Sequence, residues 1–137
     1  MIKKIDHIAI VVRNIEKALQ TYEGALGLEP TDVKEMPEDA VKVAFLPVGE
    51  SELELVEPLT AEGGVAKFLE NRGEGIHHIC FEVDDIKAVL QDLVAKGVRL
   101  IDEQPRQGAR GRVAFLHPKS AHGVLIELIE KRKISCL

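Results

Sequence analysis

Cysteine is scarce in this chain of 137 residues. Cys80 falls inside a strand pattern and Cys136 lies one residue from the end, so no disulfide framework can be read from them. Long apolar runs are missing as well. The longest, Ile8 to Val12, is far too short to cross a bilayer. The opening Met1-Ile2-Lys3-Lys4-Ile5-Asp6 leads straight into a strand pattern and lacks the long apolar segment of a signal peptide. These absences predict a reducing cytoplasm and no membrane partner. Positive charge is in deficit, with 18 Lys and Arg against 23 Asp and Glu. Nucleic acid needs a basic surface, which argues against it as a partner. A local basic cluster can still meet an anionic small molecule. Asparagine occurs only as Asn14 and Asn71 among many Glu and Lys, a pattern that hints at a thermophilic source.

What remains is an ordinary globular composition, 45% apolar and 30% charged. The length predicts one domain with a real core, spanning 1–137. Inside it the chain repeats itself. Shifted by 71 positions, His7, Ile8, Val12, Ile15 and Leu19 fall on His78, Ile79, Val83, Ile86 and Leu90. Val43-Ala44-Phe45-Leu46 returns as Val113-Ala114-Phe115-Leu116, and Glu54-Leu55-Val56-Glu57 as Glu127-Leu128-Ile129-Glu130. Self-similarity of this kind sets the architecture before any local reading. The repeat units run over about 4–59 and 75–131, and two units this short are expected to fold together.

Within each unit the periodicity predicts strand, helix, then three strands. In the first, residues 5–12 alternate as a strand. Asn14 then offers a helix N-cap, and Ile15, Leu19, Tyr22 and Leu26 recur at helical spacing before Gly27. Residues 28–40 read as a short strand and a mobile loop. A hairpin over 41–48 and 51–56 turns at Gly49-Glu50. A helical turn or two from Val65 stops at Gly73. In the second unit, residues 76–83 are the opening strand. Asp85 caps a helix with the stripe Ile86, Val89, Leu90, Leu93 and Val94, stopped at Gly97. Residues 98–101 read as a short strand and 104–112 as a basic loop. The closing hairpin is 112–116 with 124–129.

The bulky faces of the opening strands must cover the helices, so His7 and His78 face the other way. Their face-mates are small or polar: Ala9 in one strand, Cys80 and Glu82 in the other. Glu54 and Glu127 sit in the last strand of each unit among apolar neighbours. An inward carboxylate there needs a cation or hydrogen-bond donors. A single His and Glu of this kind reads as a buried, hydrogen-bonded histidine and a solvent-facing acid. Repetition of both types at matched stations turns the reading to metal, with His7, Glu54, His78 and Glu127 as ligands of one divalent ion. Mixed imidazole and carboxylate ligation suits Zn, Co, Mn, Ni or Fe rather than Ca. His77 stands where the first unit has Asp6, which gives it a structural or ligand-supporting role. His117 and His122 read as local turn residues, and Cys80 as a small core residue.

With His7, Glu54, His78 and Glu127 at these stations, the chain resembles the vicinal oxygen chelate (glyoxalase-like) superfamily. Residues Gly75-Ile76-His77-His78-Ile79-Cys80-Phe81-Glu82-Val83-Asp84 and Phe115-Leu116-His117-Pro118-Lys119 closely resemble the methylmalonyl-CoA epimerase family within it. Leu53 to Leu59 and Gly123 to Leu128 extend the likeness over nearly the whole chain. Some epimerases of that family carry Gln at the first carboxylate station, where this chain has Glu54.

The resemblance implies an α+β fold of two tandem βαβββ units forming a curved mixed sheet around a metal site. It implies an isomerase that interconverts the epimers of methylmalonyl-CoA by 1,1-proton transfer at C2. One divalent metal per chain (Co, Mn, Zn or Ni) would stabilise an enolate. Glu127 and Glu38, the latter matched through Pro37-Glu38-Asp39-Ala40-Val41, are the implied acid–base pair. Arg106, Arg110, Arg112 and Lys119 are candidates for the CoA phosphates. A small acyl-CoA is the expected partner, in a homodimer. The alternatives are a glyoxalase-type lyase acting on a glutathione hemithioacetal, and a non-catalytic small-ligand-binding module of the same fold.

Overall fold

The computed structural model of the chain describes residues 1–108 and 110–131. Cys136 lies outside the described residues. Two compact units are present: His7–His77, and Met1–Asp6 together with the chain from His78 onward. The division cuts the first strand, β1 (Ile2–Val11), between Asp6 and His7.

In the unit His7–His77, β1 is followed by α1 (Ile15–Leu19), β2 (Asp32–Met36), β3 (Val41–Val48), β4 (Ser51–Pro58) and α2 (Gly64–Arg72). The strand order is β2-β3-β4-β1. β4 runs parallel to β1, and the other pairs are antiparallel. In the other unit, β5 (Gly75–Val83) leads into α3 (Ile86–Ala95), β6 (Arg106–Gln107), β7 (Gly111–Leu116) and β8 (Ile126–Lys131). The order β5-β8-β7-β6 repeats the first, with β8 parallel to β5 and the rest antiparallel. The α+β class and the strand–helix–three-strand order expected from the repeats are both present.

Helices α1 and α3 each cover one face of their sheet. Ile15, Ala18, Leu19 and Tyr22 pack on Ile10, Val12, Ala44, Leu46 and Leu55. Ile86, Val89, Leu90 and Leu93 pack on Phe81, Val83, Ala114, Leu116 and Leu128. Leu55 and Ile86 are fully buried, and truncating either to Ala costs about 2–5 kcal/mol.

The helix starts are built twice in the same way. The Asn14 side chain accepts from Lys17 N–H at 2.8 Å, and that of Asp85 from Ala88 N–H at 3.2 Å. A second acceptor comes from the repeated tetrad. Ile15 N–H donates to Glu57 Oε1 at 2.8 Å, and Ile86 N–H to Glu130 Oε1 at 2.9 Å. The second Glu of each tetrad therefore satisfies an orphan helix donor and lies favourably at the positive end of the dipole.

Three expectations are corrected. After Leu19 the first helix continues as a π-helix over Gln20–Ala25, with Leu26 N–H donating to Thr21 O. The wider turn moves Leu26 off the apolar stripe, leaving it 62% exposed, and Leu28 joins the core instead. Residues 98–101 form no strand. Leu100 makes one isolated bridge to Leu116, and the edge strand is β6, further along. Finally, the expected loop before β3 contains a 3-10 turn, Pro37–Asp39, closed by Ala40 at φ 55°. Among the described residues no helix is long and apolar enough to cross a membrane.

Candidate functional site

Parallel pairing sets Ala9 opposite Glu54 in one unit and Cys80 opposite Glu127 in the other. Each histidine comes two residues earlier on its strand, so strand alternation puts it on the same face as the carboxylate. That is the face turned away from α1 or α3. The outcome is two matched pairs: His7 Nδ1 lies 3.3 Å from Glu54 Oε2, and His78 Nε2 lies 3.1 Å from Glu127 Oε1. All four side chains are largely shielded, between 8% and 14% exposed. An imidazole and a carboxylate at this spacing in low dielectric can share a proton or a divalent cation.

The rows extend further than the sequence revealed. Glu54 stands opposite Phe45 in β3, and Glu127 opposite Phe115 in β7. The Phe115 ring meets His78 edge-on, 5.7 Å between centroids. Beyond each Phe lies a cation. Lys34 Nζ is 5.8 Å from the Phe45 centroid, and the Arg106 guanidinium carbon is 5.9 Å from that of Phe115. Histidine, carboxylate, phenyl ring and cation thus follow one another across four strands in both units. Lys34 was not visible as a counterpart of Arg106 because the two are 72 positions apart, while the Phe residues are 70 apart.

Glu38 lies in the Pro37–Asp39 turn with its side chain exposed. The turn is held by Ala40 N–H donating to Pro37 O and by Leu59 N–H donating to Ala40 O. Of the basic candidates, Arg106 is in β6, Arg110 is exposed between β6 and β7, and Lys119 is exposed in the 3-10 turn Pro118–Ala121. Arg112 alternates to the α3 side of β7, where its Nη2 meets Glu130 Oε2 at 2.8 Å. It thereby supports the helix cap. Its counterpart Lys42, cross-strand from Glu57, pairs with Glu16 at 2.8 Å.

His77, Asp6 and His117 make local contacts. His77 packs edge-on against Phe68 at 4.9 Å. Buried Asp6 holds Lys131 Nζ at 2.6 Å, with Glu82 at 3.7 Å. Burial alone would lower the Lys131 pKa, but the hydrogen bond and charge of Asp6, aided by Glu82, raise it above its ordinary value of 10.5. His117 caps its turn by accepting from Lys119 N–H on Nδ1 at 3.1 Å. Desolvation, and then the charges of Arg99 and Lys119, hold its pKa below the ordinary 6.5.

The family model of the Glyoxalase/Bleomycin resistance protein/Dioxygenase superfamily matches residues 6–116. The chain belongs to that superfamily. Within the superfamily it is 42% identical over 127 residues to the mitochondrial methylmalonyl-CoA epimerase of Homo sapiens, covering 91% of this chain and 72% of that protein. It is 40% identical to the ethylmalonyl-CoA/methylmalonyl-CoA epimerase of Cereibacter sphaeroides, covering 93% and 98%. Among solved structures, Streptomyces coelicolor methylmalonyl-CoA epimerase in complex with 2-nitronate-propionyl-CoA matches with a TM-score of 0.88 at 35% identity, covering 100% of each chain. The superfamily fold is thus the fold seen here, and its epimerases are this chain's homologues.

Proposed function

We propose that this protein interconverts the R and S epimers of methylmalonyl-CoA by 1,1-proton transfer at C2. The observation that carries the reading is the 40–42% identity to epimerases over nearly the whole chain. The two His–Glu pairs supply the chemistry this reaction needs.

The residue types fit a divalent metal: within each unit one imidazole nitrogen and one carboxylate oxygen lie 3.1–3.3 Å apart and shielded. His7, Glu54, His78 and Glu127 would hold the ion, Co, Mn, Zn or Ni by ligand type. Bound there, it supplies positive charge against the negative charge that develops on the thioester oxygen as C2 loses its proton. The residues do the rest. Epimerisation needs a base on one face of C2 and an acid on the other. Glu127 takes one role. Glu38, in a turn fixed by two backbone hydrogen bonds, takes the other. Arg106, Arg110 and Lys119 offer charge to the CoA phosphates, while Arg112 holds Glu130. A cytoplasmic homodimer of single-domain chains completes the proposal.

The test is incubation with one epimer of methylmalonyl-CoA in heavy water. Deuterium should enter C2 as the other epimer forms. Turnover of a glutathione hemithioacetal with no exchange at C2 would give the protein to the lyases instead.

A further inference from the structure

The two units space the aspartate and the cation of the edge strand differently, two positions apart in Asp32 and Lys34 and four in Asp102 and Arg106, and the difference changes what the aspartate does. In the unit His7–His77, Thr31 N–H donates to Phe45 O at 2.9 Å, Asp32 pairs with Phe45, and Lys34 pairs with Val43. In the other unit, Ile101 N–H and Asp102 N–H donate to Phe115 O at 2.9 and 3.2 Å. Yet the residue paired with Val113 is Arg106, four positions past Asp102. The extra length lets the Asp102 carboxylate turn back on its neighbours. Its Oδ2 accepts from Phe115 N–H at 2.9 Å, and its two oxygens accept from Arg106 Nε and Nη2 at 3.2 and 3.4 Å. Among the described residues no ion pair joins Asp32 and Lys34.

The geometry points to Asp102 as a positioning residue, which fixes Arg106 on the His78–Glu127 face to receive an oxyanion of the acyl-CoA. This rests on the acyl-CoA reading above. The Asp102 side chain is 16% exposed and that of Arg106 58%, so the anchor is shielded while the cation is presented. The guanidinium lies over Phe115, and that ring abuts His78, which fixes where the cation stands relative to the imidazole. Asp102 engages the Nε edge and leaves Nη1–H groups for a ligand. A free arginine would lose rotamer freedom on binding an anion; one already anchored loses little.

The test is a double-mutant cycle on the full-length protein with Asp102→Ala, Arg106→Ala and the double variant. It is read by calorimetric binding of methylmalonyl-CoA and by KM and kcat. Asp102→Ala should weaken binding and raise KM about 10-fold with kcat within about twofold, and Arg106→Ala should do the same. The double variant should be no worse than Arg106→Ala, because one residue acts through the other. Asp102→Asn keeps an acceptor for Phe115 N–H but loses the charge. It should raise KM several-fold, and it carries the test if Asp102→Ala fails to fold.

Repeating the cycle with a methylmalonyl-pantetheine thioester identifies the oxyanion. A penalty that vanishes with this substrate assigns a CoA phosphate, and one that persists assigns the acyl carboxylate. An unchanged KM in Asp102→Asn, or additive losses in the double variant, would overturn the inference. A parent protein that binds methylmalonyl-CoA without turning it over refutes the proposed function, yet its binding cycle still judges Asp102.

Discussion

His78 Nε2 lies 3.1 Å from Glu127 Oε1 across parallel strands, and the first unit repeats the relation with His7 Nδ1 and Glu54 Oε2 at 3.3 Å. The ring nitrogen differs, but the station does not: in both, the histidine precedes by two the residue paired with the carboxylate. Strand register therefore enforces the pairing, and a one-residue slip of β8 against β5 would turn Glu127 to the α3 side.

The pairs predict how metal binding should respond to substitution. Protein prepared without chelator should carry near-stoichiometric transition metal by elemental analysis. His78→Ala should weaken the affinity by roughly 100-fold or more, beyond what loss of a supporting group costs. Glu54→Gln places at the first carboxylate station the residue some epimerases carry there, and it should retain metal better than Glu127→Gln. Full occupancy and parental affinity in His78→Ala would remove that residue from the ligand set.

Much of this arrangement was legible in the sequence because duplication prints each station twice. His7 with His78, Glu54 with Glu127, and the caps Asn14 and Asp85 could all be read from spacing and residue type. What could not be read has local physical causes. The π-helix over Gln20–Ala25 preserves apolar spacing while changing the turn, so Leu26 looked like a core residue. Glu57 and Glu130 were visible as a repeat, but their work at the helix starts depends on three-residue offsets that reverse a strand's face. Lys34 and Arg106 escaped because two additional residues follow Asp102. The edge strand β6 comes after 98–101, just as β2, starting at Asp32, comes after the matching residues 28–31.

His117 sets an acid limit on its turn. Its pKa is held below 6.5, so the unfolded chain takes up the proton first as pH falls. The stability this gives is complete above 6.5 and is lost as pH drops through the lower folded value. Protonation also removes the Nδ1 acceptor for Lys119 N–H. Thermal melts across this range should show a decline that is reduced in His117→Asn, which keeps a side-chain acceptor and does not titrate. An identical decline in the variant would place the acid sensitivity elsewhere.

Lys131 works in the opposite direction. Its pKa is raised, so its contribution is complete below 10.5 and is lost as pH rises through the folded value. Lys131→Met removes the ammonium from Asp6, which is only 4% exposed. It should destabilise by about 1–3 kcal/mol at neutral pH in urea unfolding, less than a fully buried pair because Lys131 is partly solvated. The variant should also lose part of the parent's alkaline decline. A variant as stable as its parent at pH 7 would show that Asp6 does not depend on Lys131.

The two faces of C2 give the sharpest test of the proposed chemistry. If Glu38 and Glu127 are opposed, removing one should not stop every step equally. Glu38→Gln keeps side-chain size, and Glu38 is not a proposed ligand, so metal content should be unchanged. Its side chain is exposed in the Pro37–Asp39 turn, so folding should survive as well. Glu127 can still remove the proton of one epimer and return deuterium to the same face. Inversion should fail, because no acid serves the other face. Wash-in and racemisation should therefore separate: exchange from one epimer near the parental rate, exchange from the other suppressed, and racemisation lower by about 100-fold or more. Glu127→Gln is the less clean partner experiment, since it disturbs metal binding and proton transfer together. The decisive comparison is made in heavy water from each pure epimer, with metal measured in the same sample. Racemisation at the parental rate in Glu38→Gln would leave Glu38 a solvated turn residue and send the search for the second base elsewhere.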